Sequence, residues 1–214
     1  MSSSHPPSPH RSFAALRRFV RERAPVERCE LCGAEVAAEH HHLIEPANRK
    51  LLCACQPCAI LFEGRAETKY KRVPRRIRRL EDFQLTDAQW DDLMIPIHLA
   101  FFFHSTPDER TVVLYPSPAG ATESLLALDS WDEIVRANPT LREMEADVEA
   151  LLVNRVGSTR EHYVVPIDEC YKLVGLIRLH WRGLSGGTEV WNEIGRFFAG
   201  LRERSHPVGG TVRA

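Results

Sequence analysis

Five cysteines fall within a stretch of thirty residues: Cys29, Cys32, Cys53, Cys55 and Cys58. Sulfur donors bunched in this way bind borderline or soft metals, because several thiolates together neutralise the cation. Cys29, Cys32, Cys55 and Cys58 read as C-x2-C-x22-C-x2-C. That spacing predicts a tetrahedral four-thiolate site of zinc-ribbon or treble-clef type, with zinc as the cofactor and a single iron as the alternative. Gly33 frees the chain to take positive φ and close a tight knuckle after the first pair. A second knuckle is expected at the second pair, although Ala59 stands where a rubredoxin-like iron site would normally have glycine. Bare thiols would be an oxidation liability. A segment this short also buries too little apolar surface to fold without a clip. The metal is therefore expected to be structural.

Between the two pairs runs Glu39-His40-His41-His42. In an extended chain His40 and His42 share one face and His41 points away. His40 and His42 are thus candidates to replace a thiolate or to start a second site, and Cys53 is a further candidate ligand. A solvated polar turn is the bland alternative. The order C-x2-C, His-His and Asn48 also resembles the HNH nucleases. There a ββα unit presents a histidine base, an asparagine that orients it and a later histidine that holds the metal. His41 or His42 and Asn48 match the first parts. Ala59-Ile60-Leu61-Phe62 offers no ligand for the last. A cation cannot then be placed on a phosphate, so that resemblance implies a degenerate nucleic-acid binder without nuclease activity.

Seven of the eleven residues from Lys69 to Arg79 are basic: Lys69, Lys71, Arg72, Arg75, Arg76, Arg78 and Arg79. They form a candidate partner-binding run, and Pro74 keeps it from being one unbroken helix. Charge is divided along the chain. Residues 1–80 carry 16 Lys/Arg against 8 Asp/Glu, a balance of +8, and the remainder 12 against 21, a balance of −9. Docking of one half on the other, or on an acidic protein partner, follows from that division. The alternative is a connector whose charges pair with Glu81, Asp82, Asp87, Asp91 and Asp92. Nucleic acid is not the expected partner, because no aromatic platform is interleaved with the arginines.

The elements that must position these groups belong to an α+β chain of 214 residues. Residues 1–10 are Ser/Pro/His-rich without an apolar h-region, so they read as a disordered tail rather than a secretory signal. Residues 11–65 read as an amphipathic helix over 11–23 and the cysteine-rich module, 66–85 as a basic linker, 86–206 as an α+β domain, and 207–214 as a flexible tail. No run of 18 apolar residues is present, so membrane insertion is not expected, and the location expected is the cytoplasm. Thr86-x-x-Gln89, Ser130-x-x-Glu133 and Thr140-x-x-Glu143 have the capping-box pattern. Strands are expected over Ile95–Phe103, Thr111–Tyr115, Glu149–Val156 and His162–Ile167, making two pairs. Helices follow from Pro166, with Cys170 as a core residue, and after Gly186-Gly187, with Thr188 as N-cap. The loop Tyr115–Ser124 and the turn Trp181–Gly187 match no phosphate, nucleophile or dinucleotide fingerprint. Ser117, Ser124 and Ser185 have no evident base, so a non-catalytic role is expected.

The C-E-L-C-G knuckle, H-x-H, L-L-C-A-C-x-x-C, Y-P-S-P-A-G-A-T-E-S, V-P-I-D-x-C-Y-x-L-V-G-L-I-R and H-W-R-G-x-S-G-G-x-E-V-W are long, distinctive strings. On these, residues 25–205 resemble an uncharacterised bacterial family encoded beside high-affinity uptake nickel-iron hydrogenases. The resemblance implies an accessory in assembling, maturing or electrically connecting such an enzyme, with hydrogenase subunits as partners. Electron transfer or metal delivery through the same thiolates is the alternative.

Overall fold

The strongest apolar runs form the middle of a large sheet that is buried on both faces. In the computed structural model, which describes residues 26–64, 68–124 and 131–209, ten strands and five α-helices make an α+β chain with two sheets. The small sheet has the order β2-β1-β3, from β1 (His41–Glu45), β2 (Lys50–Ala54) and β3 (Lys71–Arg72), and α1 (Gln56–Ile60) follows β2 directly. The large sheet comprises β4 (Arg78–Leu80), β5 (Leu99–Ser105), β6 (Arg110–Ser117), β7 (Gly120–Glu123), β8 (Glu149–Asn154), β9 (Glu161–Pro166) and β10 (His206–Val208). Its order is β10-β4-β9-β8-β5-β6-β7. Every pairing is antiparallel except that of β10 with β4.

Alternation along the strands sends side chains to two cores. Leu99, Phe101 and Phe103 of β5, with Ala150 and Leu152 of β8, face α4 (Ile167–His180) and α5 (Gly187–Arg204). Ala100, Phe102, Leu151 and Val153 face the opposite way, toward Trp90 of α2 (Asp87–Asp92) and Trp131 of α3 (Trp131–Ala137). The Phe102 and Trp131 rings stack with centroids 4.9 Å apart. Burial on both faces is why these strands read as continuous apolar runs. The two strand pairs of the sequence reading are present and are joined through β5 and β8.

Several boundaries differ from the sequence reading. The first strand starts at Leu99 rather than Ile95, since Met94 has φ +47 and Pro96 cannot donate to a ladder. Thr86 forms a complete capping box with Gln89. Thr140 instead lies inside a 3-10 helix, Pro139–Glu143, whose cap position is Asn138. Gly186, in the left-handed region at φ +86, takes the cap position of α5 in place of Thr188. The Tyr115–Ser124 loop is mostly the β6–β7 hairpin. Ser130, the helix over 11–23 and the tail 1–10 lie outside the described residues.

The stretch expected to be a linker is instead structural. β3 pairs with β1, β4 pairs with β9, and Val73 and Ile77 between them are buried in the α4/α5 core. Ile44 of β1 enters that same core, so the small sheet and the large one share it. The tail expected from 207 is likewise in part a strand, because Pro207 and Val208 pair with Arg79 and Leu80.

Candidate metal centre

The first cysteine pair sits on a closed turn. The Gly33 amide donates to the Cys29 carbonyl at 2.8 Å, and the Cys29 amide to the Ala34 carbonyl at 2.8 Å. Gly33 has φ +74, as the knuckle requires. The second pair is not a second knuckle. Cys55 is the N-cap of α1, Pro57 fills its first turn, and Cys58 lies on that same turn. Ala59 continues the helix, donating its amide to the Cys55 carbonyl at 2.9 Å, and is wholly buried. A residue with a side chain fits there because the chain never needs positive φ. Knuckle, hairpin and helix end thus converge, and Cys29, Leu43, Ala54 and Ala59 form a small core beneath.

The sulfurs of Cys29, Cys32, Cys55 and Cys58 all lie within 4.8 Å of one another, with Cys32 and Cys55 3.6 Å apart. Four thiolates about 2.3 Å from one ion would be about 3.8 Å apart. The cluster therefore fits a tetrahedral ion with small adjustments. Burial would push the Cys29 thiol up, but the amides of Cys55, Cys32 and Leu31 outweigh it and pull the thiol down to about 6. Cys58 goes the other way, to about 12, first through its contact with the Cys55 thiol and then through burial. Crowded sulfurs cannot all ionise without a cation among them.

Cys53, His40 and His42 do not join the four thiolates. They form a group of their own, with one ligand atom from each within 4.8 Å of the others. The β1–β2 register sets His42 opposite Cys53, and His40 lies two residues before His42. His41 pairs with Ala54 on the alternate side. Burial, helped by Arg75 and Arg72, lowers the pKa of His41. The His42 Nδ1 is 2.7 Å from Oδ2 of Asp168, at the start of α4 and 126 residues away. Asp168 escaped the sequence reading, for nothing local ties V-P-I-D to H-x-H. β1, β2 and α1 do follow the ββα order of the HNH-like resemblance, but Asn48 faces the turn. Asn48 uses its side chain in the β1–β2 turn, accepting from the Lys50 amide at 2.9 Å.

The basic run turns its charge mostly inward. Lys71 pairs with Asp147, Arg76 with Glu145 and Glu149, and Arg78 with Glu143 and Glu149. Lys69 meets Glu45, Arg72 meets Glu63 and Arg79 meets Glu81. Of the five acidic residues expected as partners, Glu81 alone takes that role among the described residues. Asp87 pairs instead with Arg155 and Arg160.

A family model described as a family of unknown function, DUF5947, matches residues 28–205. The chain belongs to that family. No curated protein matches it, and no solved structure matches it. The span shared with DUF5947 takes in both cysteine pairs, the three histidines, the basic run and the whole of α5. Among the described residues of this DUF5947 chain, no helix is long and apolar enough to cross a membrane.

Proposed function

We propose that this protein is a non-catalytic accessory protein in which Cys29, Cys32, Cys55 and Cys58 hold one structural zinc ion in a treble-clef-like module. The observation that supports it is the convergence of the four sulfurs within 4.8 Å, on a knuckle and a helix end that have little other core. Zinc is favoured over iron because the second pair lies on a helix, whereas a rubredoxin-like site uses two glycine-closed knuckles. When bound, the ion supplies the cross-link that the short segment lacks. The partner proposed, from the resemblance given above, is a nickel-iron hydrogenase in assembly or operation.

Elemental analysis of protein from a native host tests the metal. Zinc is expected at this site, and Cys29→Ser or Cys58→Ser should each remove it and speed amide exchange over residues 26–64. A red protein that bleaches on reduction would replace this reading with an electron-transfer role. Unchanged zinc in both variants would refute the four-thiolate site. Recovery of hydrogenase subunits with the tagged protein supports the partner assignment, and their absence at low and moderate salt overturns it.

A further inference from the structure

We infer that His40, His42 and Cys53 form a second transition-metal site, separate from the four thiolates, with its fourth coordination position open to solvent. Three observations carry it. The register of β1 against β2 presents the three side chains to one point, where one ligand atom of each lies within 4.8 Å of the others. Two nitrogens about 2.0–2.1 Å and one sulfur about 2.3 Å from a common ion would be about 3.3–3.6 Å apart, a modest contraction.

The histidines are also held in the tautomer that a metal needs. The His40 Nδ1 donates to the Ala37 carbonyl at 2.8 Å, since a carbonyl can only accept. The His42 Nδ1 donates to Asp168 at 2.7 Å. Each Nε2 is then left with its lone pair available. Such a carboxylate–histidine arrangement fixes the ring and raises its basicity toward a cation.

The third observation is an orphan. The His40 side chain is only 7% exposed, yet its Nε2 is buried without a hydrogen-bond partner. A buried polar nitrogen left bare is unfavourable, and a metal at the His40–His42–Cys53 point would satisfy it.

Three protein ligands leave one position for an exogenous group, the pattern of reactive rather than purely structural zinc sites. His40 and His42 line a cleft of about 580 Å³ together with Arg75, Asp168, Tyr171 and Lys172. The lining balances Arg75, Lys172 and Arg204 against Glu39, Asp168 and Glu169, so water is the fourth ligand inferred. Asp168 belongs to α4, so the metal would also tie the small sheet to the helical face of the large one. This site does not depend on what fills the four thiolates.

Cobalt titration of the full chain tests the inference, because Co²⁺ in four-thiolate and His2Cys environments absorbs differently. Wild type should take up two equivalents with two distinct spectra. His42→Ala and Cys53→Ser should each lose the His2Cys spectrum and keep the four-thiolate one, which shows that the module still folds. Cys29→Ser loosens residues 26–64 and should lose both spectra, so selective loss of the second spectrum in His42→Ala and Cys53→Ser is what distinguishes failure of one site from failure of the other. Asp168→Asn should weaken the second equivalent about 10- to 100-fold and leave the first unchanged. Azide should perturb the second spectrum alone. Uptake of a single equivalent by wild type, or of two by His42→Ala and Cys53→Ser, would overturn the second site. Insensitivity to azide would overturn its open position.

Discussion

Glu149 offers the sharpest measurement of what the basic run does. Its side chain is fully buried at the start of β8. One carboxylate oxygen accepts from Arg76 Nε at 2.7 Å, and the other accepts from Arg78 at 3.3 Å and from the Glu145 amide at 2.9 Å. Glu149→Leu removes the charge that both arginines share, leaving Arg76 with Glu145 and Arg78 beside an apolar side chain. Arg78 is only 15% exposed, and its remaining partner is Glu143 at 3.3 Å. Breaking a buried pair by deleting one member costs about 3–5 kcal/mol. Arg76 is 48% exposed and can be rehydrated, so the lower end, about 3 kcal/mol, is the better figure. For a domain of this size that is a fall in Tm of about 6–12 °C. Glu81→Ala cuts the exposed pair with Arg79 and should cost less than about 0.5 kcal/mol. Calorimetry of both variants, zinc-loaded, at 0.1 and 0.5 M salt is the assay. The Glu149 effect should persist at high salt, and adding Arg78→Met should recover part of it by removing the stranded charge. A Glu149→Leu protein within about 0.5 kcal/mol of wild type would refute this reasoning and return residues 69–79 to the role of a solvated connector.

Acid should weaken the fold through His162, whose pKa burial and the nearby Arg155 and Arg160 hold down at about 4, against an ordinary value of 6.5. The folded state binds fewer protons between those values, so stability is fully present above about pH 6.5 and falls by about 3 kcal/mol as pH drops to 4. His162→Phe, still stacked on Phe83, should flatten that slope in urea unfolding across pH. Gly186→Ala should destabilise by about 2 kcal/mol or more, since φ is +86 and the new Cβ would stand 2.8 Å from Val190 Cγ1 and 3.1 Å from Trp181 Cε3; thermal melting reads it, and an unchanged Tm would mean that the turn relaxes freely. Zinc uptake by the four thiolates at pH 7 should release about two or more protons, because Cys32 and Cys58 have raised pKa values. Calorimetric titration in buffers of different ionisation enthalpy counts them.

The local chemistry was legible in the residues themselves. C-x2-C spacing sets which sulfurs can meet over a few bonds, and Gly33 and Thr86 act within a single turn. The apolar runs around Phe101 and Leu151 mark strands wherever they pack, because period and hydrophobicity are properties of a short window. Even H-x-H announced its shared face. What no window contains is the choice of distant partner. Asp168 reaches His42 across 126 residues, and Arg76 and Arg78 reach Glu149 across 73 and 71. The parallel addition of His206–Val208 to β4 turned an apparent tail into a sheet edge. Those pairings were decided by packing Ile44, Val73 and Ile77 into the core beneath α4 and α5. That packing brings Lys71, Arg76 and Arg78 against Asp147 and Glu149 at the start of β8, and a histidine against a helix N-terminus. Short-range geometry thus settled which groups are available, and burial of the shared core settled which of them meet.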